Sequence, residues 1–193
     1  ANSSGKSSLM QPLLLLKQTL EAAYDPGPLL LNGPNVRFNN ADQMFNVNDK
    51  KTRLFKIGLR VGSAFREVTF QKRERRLEVI STIYEESGVR LTVTPEPDPQ
   101  AIAEFVERAK LFIRLPPEIG FERQWSVARN RCFLQLNWLP LDYTVETFLR
   151  SIIHLPGLRG NPERNYVVTA VEKTFLGTFE PYTASVIAHW QEY

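Results

Sequence analysis

Two rhythms of apolar residues run along this 193-residue chain, and the switches between them predict where helices and strands lie. The first is helical. Leu9, Leu13, Leu14, Leu16 and Leu20 recur at intervals near 3.6, with Pro12 among them, where a missing backbone donor should kink the helix. Over 53–94 the rhythm shortens to two. Phe55, Ile57, Leu59 and Val61 face one way, and Leu54, Lys56, Gly58 and Arg60 the other. Gly62-Ser63 turns into a strand through Val68 and Phe70. A third strand runs from Arg76 to Tyr84, and Glu85-Glu86-Ser87-Gly88 turns into Val89-Arg90-Leu91-Thr92-Val93. Short strands separated by turns predict an antiparallel meander over 51–95 with one wet face.

Residues 96–193 are mixed. Pro95-Glu96-Pro97-Asp98-Pro99 reads as a stiff linker into a helix carrying Ala101, Ile102, Phe105, Val106, Ala109 and Leu111, ended by Pro116-Pro117. Cys132, Phe133, Leu134, Leu136 and Trp138 predict a strand. Residues 145–155 read as an amphipathic helix through Phe148, Leu149, Ile152 and Ile153. Residues 182–193 read as another, with Ala184, Val186, Ile187 and Trp190 as its apolar stripe. The expected class is α/β in the α+β sense. It comprises a leading helix with the strand and loop that follow it (1–50), the meander (51–95) and a helical and mixed segment (96–193), with no second independent domain.

Composition narrows this only a little. With 42% hydrophobic residues the chain is not wholesale disordered. Its longest purely apolar run, Leu13 to Leu16, is far short of the ~20 residues of a membrane span. A single cysteine, Cys132, excludes an internal disulfide framework and fits a reducing, cytoplasmic setting. The net charge of +3 allows anionic partners without demanding them.

The start of the chain carries the chemistry. Ala1-Asn2-Ser3-Ser4-Gly5-Lys6-Ser7-Ser8 matches the second half of a phosphate-binding loop, a glycine, four residues, then Gly-Lys-Ser/Thr; the first glycine would precede Ala1. Small residues let backbone N–H groups curl around a polyphosphate, and the helix that follows turns its positive end toward it. Lys6 would reach the β- and γ-phosphates and Ser7 would hold Mg²⁺. The competing reading is a Ser/Gly-rich terminus without a ligand.

From Asn2 to Leu9, and on through Leu13-Leu14-Leu15-Leu16-Lys17-Gln18, the chain resembles the ABC/SMC-like branch of AAA-family P-loop ATPases, the stand-alone, OLD-like prokaryotic kind. Gly27-Pro28-Leu29-Leu30-Leu31-Asn32-Gly33 resembles that family's short strand after the first helix. Ile153-His154-Leu155-Pro156-Gly157-Leu158-Arg159, with Pro162-Glu163-Arg164-Asn165-Tyr166, resembles its Gly-Pro-Leu-Arg and Arg-x-Tyr stretch. The resemblance implies a P-loop head with an antiparallel β-subdomain and a helical insertion. It implies ATP and Mg²⁺ as cofactors, bound by Asn2, Ser3, Ser4, Gly5, Lys6, Ser7 and Ser8, and pairing of heads in a homodimer or larger assembly. It also implies a role in DNA processing or anti-phage defence. Gln43 stands about where such ATPases place a glutamine that senses Mg²⁺ and the attacking water; the other reading is a surface glutamine. The family's second carboxylate strand and signature loop are not found. Val79 to Glu86 is interrupted by Ser81 and Thr82 and is rejected as the former. The expectation is therefore an N-terminal excerpt of a larger ATPase, hydrolytically inactive by itself.

Other groups admit two readings each. Gln71-Lys72-Arg73-Glu74-Arg75-Arg76 is a solvated hairpin tip or a contact for nucleic-acid phosphates. Arg159 and Arg164, in a Gly/Pro loop, suit an anion or subunit contact, or a structural pair with Glu163 or Glu180. His154 and His189 lack neighbours at metal-ligand spacing and read as surface or capped helix histidines. Cys132 reads as a buried structural thiol. The alternative to the ATPase is a non-enzymatic β-rich module that binds protein or nucleic acid.

Overall fold

The computed structural model describes residues 6–45, 53–74, 76–109, 125–137, 143–155, 168 and 174–191. Helix α1 (Lys6–Glu21) comes first and runs on through Pro12. Residues 14–20 are all buried, on every side of the helix, so the second half of α1 is an interior element, while Leu9, Met10 and Gln11 nearer its start are exposed. A helix enclosed all round needs apolar residues all round, which is why Leu13 to Leu16 stand in a row.

The stretch 27–33 does not form the short strand expected of it. Only Asn32 and Arg37 pair, as an isolated antiparallel bridge closed by Gly33 N–H to Val36 O at 3.1 Å and Phe38 N–H to Leu31 O at 2.8 Å. The reason lies on α1. The buried Gln18 carboxamide donates to Leu30 O and Val36 O and accepts from Asn35 N and Val36 N. These backbone groups are satisfied by a side chain, so no ladder forms.

The meander is as expected. β1 (Leu54–Val61), β2 (Ala64–Arg73), β3 (Arg76–Glu86) and β4 (Val89–Val93) form one antiparallel sheet in the order β1-β2-β3-β4. A bulge at Thr69/Phe70 leaves Ile80 without a partner. This extra residue re-phases β3, so that Tyr84 and Thr82 on one side of it and Val79 and Leu77 on the other share the core face. β3 is an internal antiparallel strand, consistent with rejecting Val79 to Glu86 as a catalytic strand.

α2 (Pro99–Ala109) starts where Asp98 accepts from Gln100 N at 2.9 Å and Pro99 opens the first turn, and it packs by β4. It buries Ile102, Phe105 and Val106, while Ala101 stays exposed. β5 (Val127–Asn130) and β6 (Phe133–Leu136) form a hairpin set against β3 and β4. α3 (Thr144–Ser151) lies across β1 and β2 and against α1.

Two expected helices are corrected. α3 ends at Ser151 rather than Leu155, because Ile152 turns extended and His154 forms a parallel bridge with Thr178. Phe148 and Ile153 are exposed, and the buried face is carried by Val145, Glu146 and Leu149. α4 (Thr183–Gln191) forms, but only Ala184 and Val186 of its expected stripe are half-buried, and the rest faces out. Ile187 is 48% and Trp190 74% exposed, while Ser185 is buried. One apolar cluster, from Leu14 on α1 through the sheet to Leu149 on α3, makes the core of an α+β fold. Among the described residues no helix is long and apolar enough to cross a membrane.

Candidate functional site

Helix α1 begins at Lys6, where a phosphate-binding loop would hand over to its helix. Asn2, Ser3, Ser4 and Gly5 lie outside the described residues. Lys6, Ser7 and Ser8 form the first helical turn, and only their backbone is described. The free N–H groups of that turn carry the positive end of a 16-residue helix, with no acidic residue in the first turn to neutralise it. The helix is held rigidly further down. Lys17, wholly buried, pairs with Glu21 and donates to Arg150 O at 2.9 Å and Phe175 O at 3.0 Å. Arg150 lies in the last turn of α3, so Lys17 also satisfies one of that helix's orphan carbonyls.

Gln43 sits in a 3-10 turn, Ala41–Met44, with its side-chain oxygen accepting from Asn39 N at 2.9 Å. It lines an open cleft of about 260 Å³ with Gln11, Pro12, Phe38 and Phe55. Gln11 and Pro12 are five and six residues into α1, which places the cleft about 8–9 Å along the helix from its start. The structure therefore seats Gln43 beside the second turn of the helix, tied to its own loop. Its neighbour Asp42 pairs with Lys72, whose ammonium holds the carboxyl below the usual carboxylate range.

At the tip of β2 and β3, Arg73 and Arg76 stand directly opposite each other across the turn, and Glu74 takes a left-handed φ of 50°. Arg73 reaches Glu78 at 3.3 Å; Arg75 lies outside the described residues. Arg159 and Arg164 lie outside them too. His154 is a loop residue rather than a helical one, its Nδ1 3.0 Å from Asn35 Oδ1. Partial burial, and then the nearby Lys17 charge, push its pKa down. His189 is in the last turn of α4. Cys132 is fully buried, and desolvation pushes its thiol pKa far up, as befits an inert structural thiol. Among the described residues no three His, Cys, Asp or Glu side chains gather as metal ligands.

Sequence reasoning missed the buried charges. Arg66 on β2 pairs with Glu146 on α3 at 2.6 Å, its guanidinium 3.9 Å from the centre of the Tyr84 ring and 5.3 Å from that of Phe133. Tyr84 in turn donates to Leu134 O at 2.7 Å. Lys17-Gln18-Thr19, three polar residues between Leu16 and Leu20, was the one visible sign of a polar interior. Arg66 and Glu146, 80 residues apart, gave none. Comparison with family models, curated proteins and solved structures finds no match.

Proposed function

We propose that the chain is the nucleotide-binding part of a P-loop ATPase of the ABC/SMC-like type. The observation that carries this reading is Gly5-Lys6-Ser7-Ser8 at the start of a helix whose first turn has no acidic residue. Lys6 neutralises the β- and γ-phosphates of ATP, Ser7 holds Mg²⁺, and first-turn N–H groups receive phosphate oxygens. On this reading water would attack the γ-phosphate in line, and the protein would contribute positioning and charge neutralisation. Two heads closing on ATP make nucleotide a switch for assembly, in DNA processing or anti-phage defence within the cytoplasm. The test is Mg-ATP binding by this chain, and by a version with one glycine placed before Ala1, each against Lys6→Ala. The reading requires binding that Lys6→Ala abolishes.

A second reading rests on the hairpin tip. Arg73, already paired with Glu78, and Arg76 stand opposite each other at an exposed tip, where a polyanion would supply further counter-charge. A nucleic-acid-binding module predicts salt-sensitive association that ignores ATP and is lost in Arg73→Glu/Arg76→Glu.

A further inference from the structure

Residues 174–191 lie against the body of the protein in an unusual way. Phe175 stacks edge-on with Phe179 and Tyr182, with ring centres 4.8 and 5.2 Å apart, and Tyr182 donates to Leu176 O at 3.2 Å, so the segment packs largely on itself. Within it only Gly177 and Ser185 are buried. Side-chain and backbone hydrogen bonds fasten it to the body. Lys17 Nζ donates to Phe175 O at 3.0 Å, and Gly177 N donates to the Glu21 carboxylate at 3.1 Å. Phe179 N donates to His154 O at 2.9 Å, and Thr178 bridges His154. Between the segment and the body lies an open cleft of about 300 Å³, with Leu30 and Pro34 on the body side and Leu176, Pro181 and Tyr182 on the other.

We propose that residues 174–191 form a strap, latched by the buried Lys17–Glu21 pair, that opens as a unit and so widens this cleft onto the face of α1. The energetics of the two buried pairs support it. When the strap lifts, Lys17 keeps both Glu21 and Arg150 O, so no buried charge is left alone. Parting α3 from the sheet, by contrast, would break the buried Arg66–Glu146 pair. The strap also buries little apolar surface of its own, which places its opening at the low end of the free energies for local unfolding. The inference is independent of the nucleotide reading.

Hydrogen exchange read by mass spectrometry tests it. In the wild type, the amides of 177–179 and α4 should exchange at least tenfold faster than those of β2 and β3. Lys17→Met removes the bond to Phe175 O. Gly177→Ala strains only the strap, since Gly177 has φ +71° and an added Cβ would stand 3.2 Å from Pro34. Each variant should speed exchange within 174–191 by a further tenfold, and Gly177→Ala, which leaves the Lys17–Glu21 pair intact, should leave β2 and β3 within twofold. Should Lys17→Met fail to fold, Gly177→Ala decides. Exchange of the strap in step with β2 and β3, or exchange that neither variant changes, overturns the proposal.

Discussion

Gly33 lies so close to the Gln18 carboxamide that an added Cβ would come within 2.6–2.8 Å of it. Gln18 cannot step aside cheaply, because its side chain satisfies backbone groups of Leu30, Asn35 and Val36 at once. Gly33→Ala should therefore cost about 1–3 kcal/mol, seen as a lower urea midpoint with an unchanged slope. Two other side chains set the alkaline limit of stability. Burial raises the pKa of both Cys132 and Tyr84 well above their ordinary values of 9.0 and 10.0. Above about pH 9 the unfolded chain releases protons that the folded chain keeps, so it binds fewer protons and stability falls as pH rises. Each group contributes up to about 1.4 kcal/mol per pH unit. Melts between pH 7 and 10.5 should show the fall, and Cys132→Ala should make it shallower. The burial of Cys132 was legible in its apolar run. The placement of Gly33 was not, because the side chain it accommodates lies 15 residues away.

At the level of elements, the strands were legible and the helix faces less so. An antiparallel strand with one wet face writes its phase directly into the sequence, as in Phe55, Ile57, Leu59 and Val61. The bulge at Ile80 was not legible, since one extra residue changes the register without changing the composition. α3 failed at its end for a tertiary reason, the bridge from His154 to Thr178. Glu146, which the apolar pattern does not single out, is the inner half of an ion pair, its second oxygen buried without a hydrogen-bond partner. Such a pair holds α3 to β2 at a cost, and removing one partner is worse than removing both. Arg66→Met should lose about 3–5 kcal/mol, and Arg66→Met/Glu146→Leu should recover much of that. Denaturant unfolding of the two single variants and the double variant measures it; additive losses would mean that the pair is not coupled.

On the scale of the whole molecule, the fold is an antiparallel sheet covered on one face by α3 and a hairpin, with α1 behind α3. The class was readable because periodicity reports on burial. The proposed nucleotide site rests on a sequence motif, Gly-Lys-Ser/Thr at the start of α1, whereas the cleft around Gln43 and the packing of 174–191 on α1 arise from residues far apart in sequence. The central claim is that the start of α1 binds a nucleoside triphosphate. A ligand at a hundred times its dissociation constant stabilises the folded state by about 2.7 kcal/mol, or roughly 5–11 °C for a domain of this size. The most direct measurement is the thermal unfolding midpoint with and without saturating Mg-ATP, in the wild type and in Lys6→Ala. A rise of that order in the wild type, absent from Lys6→Ala, is the predicted result. No rise in the wild type, or an equal rise in both, would contradict it.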